Sequence, residues 1–486
     1  MSGEQLKQKT ARGLLWGGIG QGGMQLLNLV FGIFLSRLLS PSDYGTVGAL
    51  TVFSAVAQIF TESGFTLAIV NRREVTDRDY SSVFWFNIVV GAVLYAALFF
   101  LAEPIASFYR DPSMVPLARF LFLSFFIGAT ATAPSAYMFR NLMVKERSRI
   151  LLAAIVVSGV AGVVCAMHGM GYWGIAVQTV LFSSTTTVLY WTAVPWRPSR
   201  CFSIASIRSM LPFSSRQMAV SLFTHFNNNF FAMLLARFYT LQQTGYYTQG
   251  NKWTTMGFST ISGMINSVGQ PVMRQVRDEA AGSGHDGHER LRRVFRKMLR
   301  FAAFTSFPAM LGLGLIAREV IVLSVTAKWV PAVEVMQILC IGGAFLPLAT
   351  LYGNLFNSLG RPSVYMWNTI ALGLAQIALA VISYPYGLRV MLWAYTGANV
   401  AWLAVWQFFA RRAIGLRARS VLLDVLPYLA AAVAAVAAGR CAALAATGIV
   451  TSLIFKVAGA AAAYCLILWL SGSVVFRETI QYFTKR

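Results

Sequence analysis

Two stretches of the chain, 200 residues apart, carry matching polar side chains on an apolar background. The first reads Gln21, Gln25, Asn28, Arg37 and Gly45; the second reads Ser221, His225, Asn228, Arg237 and Gly245. Amides, hydroxyls and an imidazole can replace water around a polar cargo, and a guanidinium can neutralise an anion. The echo continues downstream. Ser54, Gln58 and Glu62 follow the first stretch, with Ser54 and Glu62 aligned on Thr254 and Ser262. Asn251, Thr255, Ser259, Ser262, Asn266 and Gln270 advance by steps of four, four, three, four and four. On a helix those positions stay within one face about 100° wide. Lys252 adjoins that face and can meet an anionic group, whereas Glu62 is the acid placed to bind a coupling cation, a proton or sodium. The competing reading is interhelical glue, since hydrogen bonds between membrane helices are common and each contributes about 1 kcal/mol or less. The recurrence of stripes at corresponding positions favours a polar path.

Composition decides what surrounds these side chains. The chain has 486 residues, 57% hydrophobic and 12% charged, with a mean hydropathy of +0.62. Soluble proteins carry about 25% charged residues, so the solvent for most of this chain is lipid. The formal net charge of +23 sits in short segments between apolar runs, as the positive-inside rule describes, and this excludes a nucleic-acid binder. Cys165, Cys201, Cys340, Cys441 and Cys465 are scattered and imply no disulfide framework.

Apolar runs of membrane length must be helices, because only a helix closes its own backbone hydrogen bonds in lipid. About fourteen such runs are expected, from 13–36 to 450–472. The N-terminal run is too long for a signal-peptide core and is read as a retained helix. Placing both termini in the cytoplasm puts roughly three-quarters of the Lys and Arg on that side. The dense basic cluster from Arg274 to Arg300 is read as a topological anchor. Glu103 to Pro116 resembles Glu319 to Pro331, each ending Val-Pro before the next helix. The expected architecture is therefore an all-α integral membrane protein of two six-helix lobes related by a pseudo-twofold, plus two C-terminal helices. The expected divisions are 1–195, a cytoplasmic linker 196–216, 217–412, and 413–486. In the linker, Ile204, Ile207 and Leu211 recur at helical spacing. Glu62, Arg119, Arg237 and Lys252 are intramembrane charges, costing about 2.5–3.5 kcal/mol each on insertion scales. Arg37 and Arg237 lie near helix ends and are better read as anchors.

Other motifs carry little. Gly18 to Gly23 matches GxGxxG formally but lies inside a membrane helix with no strand before it. Asp77-Arg78-Asp79 and the His285, His288, Glu289 group are read as solvated loop residues. No GxxxxGK[ST] is present, so ATP does not drive the chain directly. No cofactor and no enzymatic activity are expected, and outside loops are too short to hold a catalytic domain.

The segment from Leu35 to Phe65, LSRLLSPSDYGTVGALTVFSAVAQIFTESGF, resembles the start of Wzx-type polysaccharide flippases, in the polysaccharide-transporter branch of the multidrug/oligosaccharidyl-lipid/polysaccharide exporter superfamily. So do SSVFWFN (Ser81 to Asn87), TGYYTQGNKW (Thr244 to Trp253), AKWVPAVEVMQIL (Ala327 to Leu339) and NSLGRPSVYMWN (Asn357 to Asn368). The resemblance implies a central cavity lined by the first two helices of each lobe, which are the helices that carry the stripes. It implies a polyprenyl-pyrophosphate-linked oligosaccharide as substrate, with membrane lipids, a polysaccharide polymerase and export machinery as partners; on such a substrate Lys252, and secondarily Arg237, is expected to neutralise the pyrophosphate. It places the protein in the bacterial inner membrane. A cation-coupled multidrug exporter of the same superfamily is the alternative. Against it, the first expected span has no acidic residue, where many drug exporters place one. An oligosaccharide polymerase or ligase is a more distant alternative.

Overall fold

The computed structural model describes residues 3–62, 65, 68–69, 75–141, 143–280, 285–473 and 475–478; within its helices the side chains of 3–19, 21, 58–62, 213, 216–217, 219–220, 224, 228, 268, 270, 280 and 285–288 are not described. The described residues are helical almost throughout, as expected. They form α1 (Gly3–Leu38), α2 (Pro41–Glu62), α3 (Asp77–Tyr109), α4 (Met114–Arg140), α5 (Val144–Met167), α6 (Trp173–Ala193), α7 (Ile204–Phe238) and α8 (Leu241–Ala280). Then follow α9 (His285–Leu315), α10 (Ala317–Ser324), α11 (Pro331–Gly343), α12 (Leu346–Ser358), α13 (Pro362–Ser383), α14 (Leu388–Ile414), α15 (Ala418–Ala442) and α16 (Ile449–Leu470). Among the described residues, eight helical segments are long and apolar enough to cross a membrane, with α11 and α12 together making one of them. The protein is a multi-pass membrane protein.

The chain divides into two compact units, 1–245 and 246–486. In the first, α3 and α4 pack along their length around Leu98, Ala102, Leu117, Leu121 and Phe122. Gly91 makes this possible, because a Cβ there would lie 2.6 Å from that of Ala129. α1 packs on α5 by a similar device, since a Cβ at Gly20 would meet Ser148 and one at Gly159 would meet the Phe31 ring. Small residues let membrane helices approach where lipid supplies no hydrophobic drive. Arg119 is paired: it donates to Glu103 at 2.9 Å and stacks 4.2 Å from the Phe99 centroid.

The linker region has more order than its composition suggests. The backbone N–H of Ser203 donates to Ser82, the hydroxyls of Ser81 and Ser199 lie 3.0 Å apart, and Trp85 donates to the Ser199 carbonyl. Ser203 then caps the Ser206 N–H, and α7 continues from Ile204 to Phe238. The helical spacing of Ile204, Ile207 and Leu211 is thus the first part of this long helix, with Ile207 buried.

In the second unit, α15 and α16 form a hairpin held close at Gly439 and Gly459. Charge attaches it to the rest. Asp424, buried, takes Arg296 at 2.6 Å and Arg300 at 3.2 Å. Lys456 donates to Glu319 at 2.6 Å, and Ser452 joins the same carboxylate. The basic cluster therefore lies on the end of α8 and the start of α9, with Arg290 on Glu279 and Arg296 on Asp424. The echoed acids also diverge. Glu103 finds its cation on the next helix, whereas Glu319 finds it on α16. Glu334, at the position corresponding to Arg119, pairs with Arg389.

Asp424→Ala leaves two guanidinium groups facing a buried gap, and we expect it to cost about 2–3 kcal/mol. Thermal unfolding of the detergent-solubilised protein should show a lower midpoint than Glu103→Ala, whose carboxylate is exposed. Glu319 gives a pH signature. Burial works against its charge, but hydrogen bonds from Lys456 and Ser452 outweigh that and hold its pKa below the usual carboxylate value. A depressed folded-state pKa contributes stability above the unfolded value, and this is lost as pH falls through the folded one. Wild type should therefore lose more stability on acidification than Glu319→Gln; parallel curves would contradict the pairing.

Candidate substrate path

The turn between α1 and α2 is built by the motif Ser40-Pro41-Ser42-Asp43-Tyr44-Gly45. The Asp43 carboxylate accepts from the Ser40 N–H at 2.8 Å and its hydroxyl at 2.6 Å, while the Asp43 N–H donates back to Ser40 Oγ. This is a reciprocal cap that satisfies the free donors of a helix N-terminus. The other carboxylate oxygen takes the Tyr172 N–H at 3.0 Å and ties the turn to the start of α6. Ser36 donates to the buried Tyr44 hydroxyl at 2.9 Å. The same cap recurs 200 residues on. There Thr240 and Gln243 exchange side-chain and backbone hydrogen bonds at the start of α8.

The two turns meet, and all four residues involved lie in the first unit. A Cβ on Gly45 would sit 1.7 Å from the Leu241 carbonyl oxygen, and one on Gly245 would sit 1.8 Å from that of Pro41. The contact is reciprocal, with each glycine four residues after the carbonyl that its partner meets. Backbone touches backbone, and any side chain at either position would separate the helices.

The expected path residues fall into distinct environments. Gln25, Ser54 and Ser221 are half-buried, and Asn28 and His225 are exposed. The side chains of Gln21, Gln58, Glu62 and Asn228 lie outside the described residues, as do those of Gln270, His285 and His288. Arg237 reaches back to α3, where its Nη1 donates to the Phe108 carbonyl and its guanidinium lies 4.8 Å from that ring's centroid.

On α8 the polar face divides. Ser262 and Asn266 pair with α12, where Thr350 donates to Ser262 at 3.5 Å and Asn354 to Asn266 at 2.9 Å. Both helices advance by four, so these form two rungs of interhelical glue. Thr350 and Asn354 were legible as polar residues four apart in an apolar run, but the sequence did not say which helix they face. Above the rungs, Thr255 and Ser259 are exposed, and the Ser259 hydroxyl is directed to the Met256 carbonyl of its own turn. Asn251 and Lys252 are half-buried, and Lys252 has no ion-pair partner among the described residues. Thr254, on the packed side, donates to the Gly250 carbonyl and lies 3.7 Å from Cys340 Sγ. The arrangement offers hydroxyls, amides and one uncompensated ammonium along one helix.

Gly45→Ala and Gly245→Ala should each cost about 3 kcal/mol, because backbone must move to admit the methyl group. Gly22→Ala, where no atom lies within 4 Å of the added Cβ, should leave thermal unfolding unchanged or raise its midpoint. Equal behaviour of the three variants would refute the close approach.

Comparison with known proteins accords with this reading. The family model for polysaccharide biosynthesis proteins matches residues 34–334. The lipopolysaccharide biosynthesis protein WzxC of Escherichia coli K12 is 26% identical over 366 residues, covering 74% of this chain and 72% of its own. The teichuronic acid biosynthesis protein TuaB of Bacillus subtilis 168 is 23% identical and covers 87% of each chain. The succinoglycan biosynthesis transport protein ExoT of Rhizobium meliloti 1021 is 22% identical, covering 74% and 71%. Among solved structures, the lipid II flippase MurJ in an inward closed conformation superposes with a TM-score of 0.74 over 96% of this chain and all of its own, at 12% identity. An inward-facing multidrug resistance transporter of the MATE family gives 0.66 over 81% and 94%, at 19% identity. The chain belongs to the polysaccharide biosynthesis protein family, as its resemblance to the Wzx-type flippases led us to expect.

Proposed function

We propose that this protein moves a polyprenyl-pyrophosphate-linked oligosaccharide from the inner to the outer leaflet of the cytoplasmic membrane by alternating access, supplying exopolysaccharide, O-antigen or capsule synthesis. The observation that carries this reading is Lys252. It is a half-buried cation without an ion-pair partner among the described residues, beside the exposed hydroxyls of Thr255 and Ser259 on a helix of a membrane protein. Charge at membrane depth is costly unless something pairs with it. A pyrophosphate followed by sugar hydroxyls matches an ammonium flanked by the Asn251 amide and the hydroxyls of Thr255 and Ser259. The family match and the names of the curated relatives support a polysaccharide cargo, and the likeness to a lipid II flippase supports a lipid-linked one.

In this reading the headgroup travels along the polar faces of α1, α2, α7 and α8 while the polyprenyl tail stays in lipid. The two six-helix halves, with both termini cytoplasmic, alternate in opening to either side. Outward movement of anionic charge gains about 2.3 kcal/mol per charge per 100 mV from an inside-negative potential. Proton or sodium antiport can add to that through Glu62. The MATE likeness keeps a drug-exporter fold in view. The absence of any acid between Gly13 and Ser36 argues against that chemistry.

The test is flipping of a lipid-linked sugar in vesicles containing the purified protein. Lys252→Ala should lower the rate at least tenfold, the loss of one charge-assisted contact, and Lys252→Arg should restore most of it. Asn228→Ala should slow flipping severalfold. Wild-type rates in Lys252→Ala and Asn228→Ala together would remove the assignment.

A further inference from the structure

A groove of about 600 Å³ runs within the first unit between α2, α3 and α7, lined by side chains such as Val56, Leu94, Leu222, Phe226 and Met233. Every described residue that lines it is apolar. Along α7, Leu222 to Met233 is eleven residues, or about 16 Å at 1.5 Å per residue. Half of a hydrocarbon core of about 30 Å is about 15 Å. The groove thus has the length of one leaflet.

One end carries a charge. Arg237 follows Met233 by one turn, on the same stripe of α7 as Phe226. Phe108 likewise continues the stripe of α3 that begins with Leu94 and Leu98. The two meet as described, the guanidinium over the Phe108 ring and Nη1 on its carbonyl. That leaves most of the five guanidinium donors free, in the planar fork that grips phosphate oxygens in pairs. No carboxylate among the described residues neutralises Arg237.

We propose that this groove binds one acyl chain of an anionic membrane phospholipid, with its phosphate held by Arg237. The chain fills an apolar slot one leaflet deep, and the headgroup meets the arginine at the level where headgroups lie. A polyprenyl carrier is far longer than one leaflet, so the ordinary phospholipid fits the slot better than the transported lipid does. An arginine near the membrane surface is expected to snorkel toward headgroups, and the apolar slot beside it turns that general attraction into a site. Occupation would brace α7 against α2 and α3.

Native mass spectrometry of the full-length protein tests this with phosphatidylglycerol and phosphatidylethanolamine of identical chains. Phosphatidylglycerol should be retained severalfold more strongly, because both lipids carry the phosphate but the ammonium of phosphatidylethanolamine competes with Arg237 for it. Arg237→Gln should abolish that preference, Arg237→Lys should keep part of it, and Val56→Trp, which fills the slot, should weaken retention of both lipids. Equal retention of the two lipids by wild type, or an unchanged preference in Arg237→Gln, would overturn the proposal. So would displacement of phosphatidylglycerol by undecaprenyl pyrophosphate, which would assign the slot to the transported lipid. The readout is binding, so its outcome is independent of the flipping assay with Lys252.

Discussion

Hydrocarbon cannot hydrogen-bond, and that single property governs most of what this chain does. Every backbone group must close on its own helix, and every charge at depth needs a partner or a purpose. Asp424 is surrounded by Arg296 and Arg300, Glu319 is joined by Lys456 and Ser452, and Arg119 is shared between Glu103 and the Phe99 ring. Against that background Lys252 stands apart as a half-buried ammonium with no ion-pair partner among the described residues, and this supports the role proposed for it.

Lipid also removes the usual drive for packing apolar side chains together, so close approach takes over. Gly91, Gly159, Gly439 and Gly459 each mark a place where two helices come nearer than a side chain would allow. The reciprocal contact of Gly45 with Leu241 and of Gly245 with Pro41 is the extreme case, backbone against backbone. Its partners carry matching caps, Ser40 with Asp43 and Thr240 with Gln243. A duplicated sequence has here become a symmetric contact, and symmetry explains why both glycines are needed.

Duplication did not preserve everything. Glu103 and Glu319 echo each other in sequence, yet one pairs with the neighbouring helix and the other with α16. The two C-terminal helices supply a partner that the first half has no counterpart for. A carboxylate at an equivalent position thus serves to dock an added hairpin. The polar face of α8 shows the same divergence within one helix, with glue at Ser262 and Asn266 and exposed hydroxyls at Thr255 and Ser259.

The helical membrane character was legible in the sequence because it depends on local quantities, the length and apolarity of each run and the period of its polar residues. The places of α3, α5 and α15, the polar stripe of α8 and the 200-residue echo follow from those alone. Helix ends were less legible. α7 begins at Ile204, where Ser203 is stitched to Ser82, and α9 begins in the basic cluster, whose Arg296 is matched by the distant Asp424. Which polar residues are spent on structure was not legible at all. Asn266 and Thr255 are equivalent in sequence pattern, and only the position of Asn354 on α12 separates them. The sequence by itself determined the elements, since a helix in lipid is a local solution to backbone hydrogen bonding. The tertiary structure decided the partners, since hydrogen bonds and ion pairs between residues such as Arg296 and Asp424, 128 positions apart, depend on where whole helices come to rest.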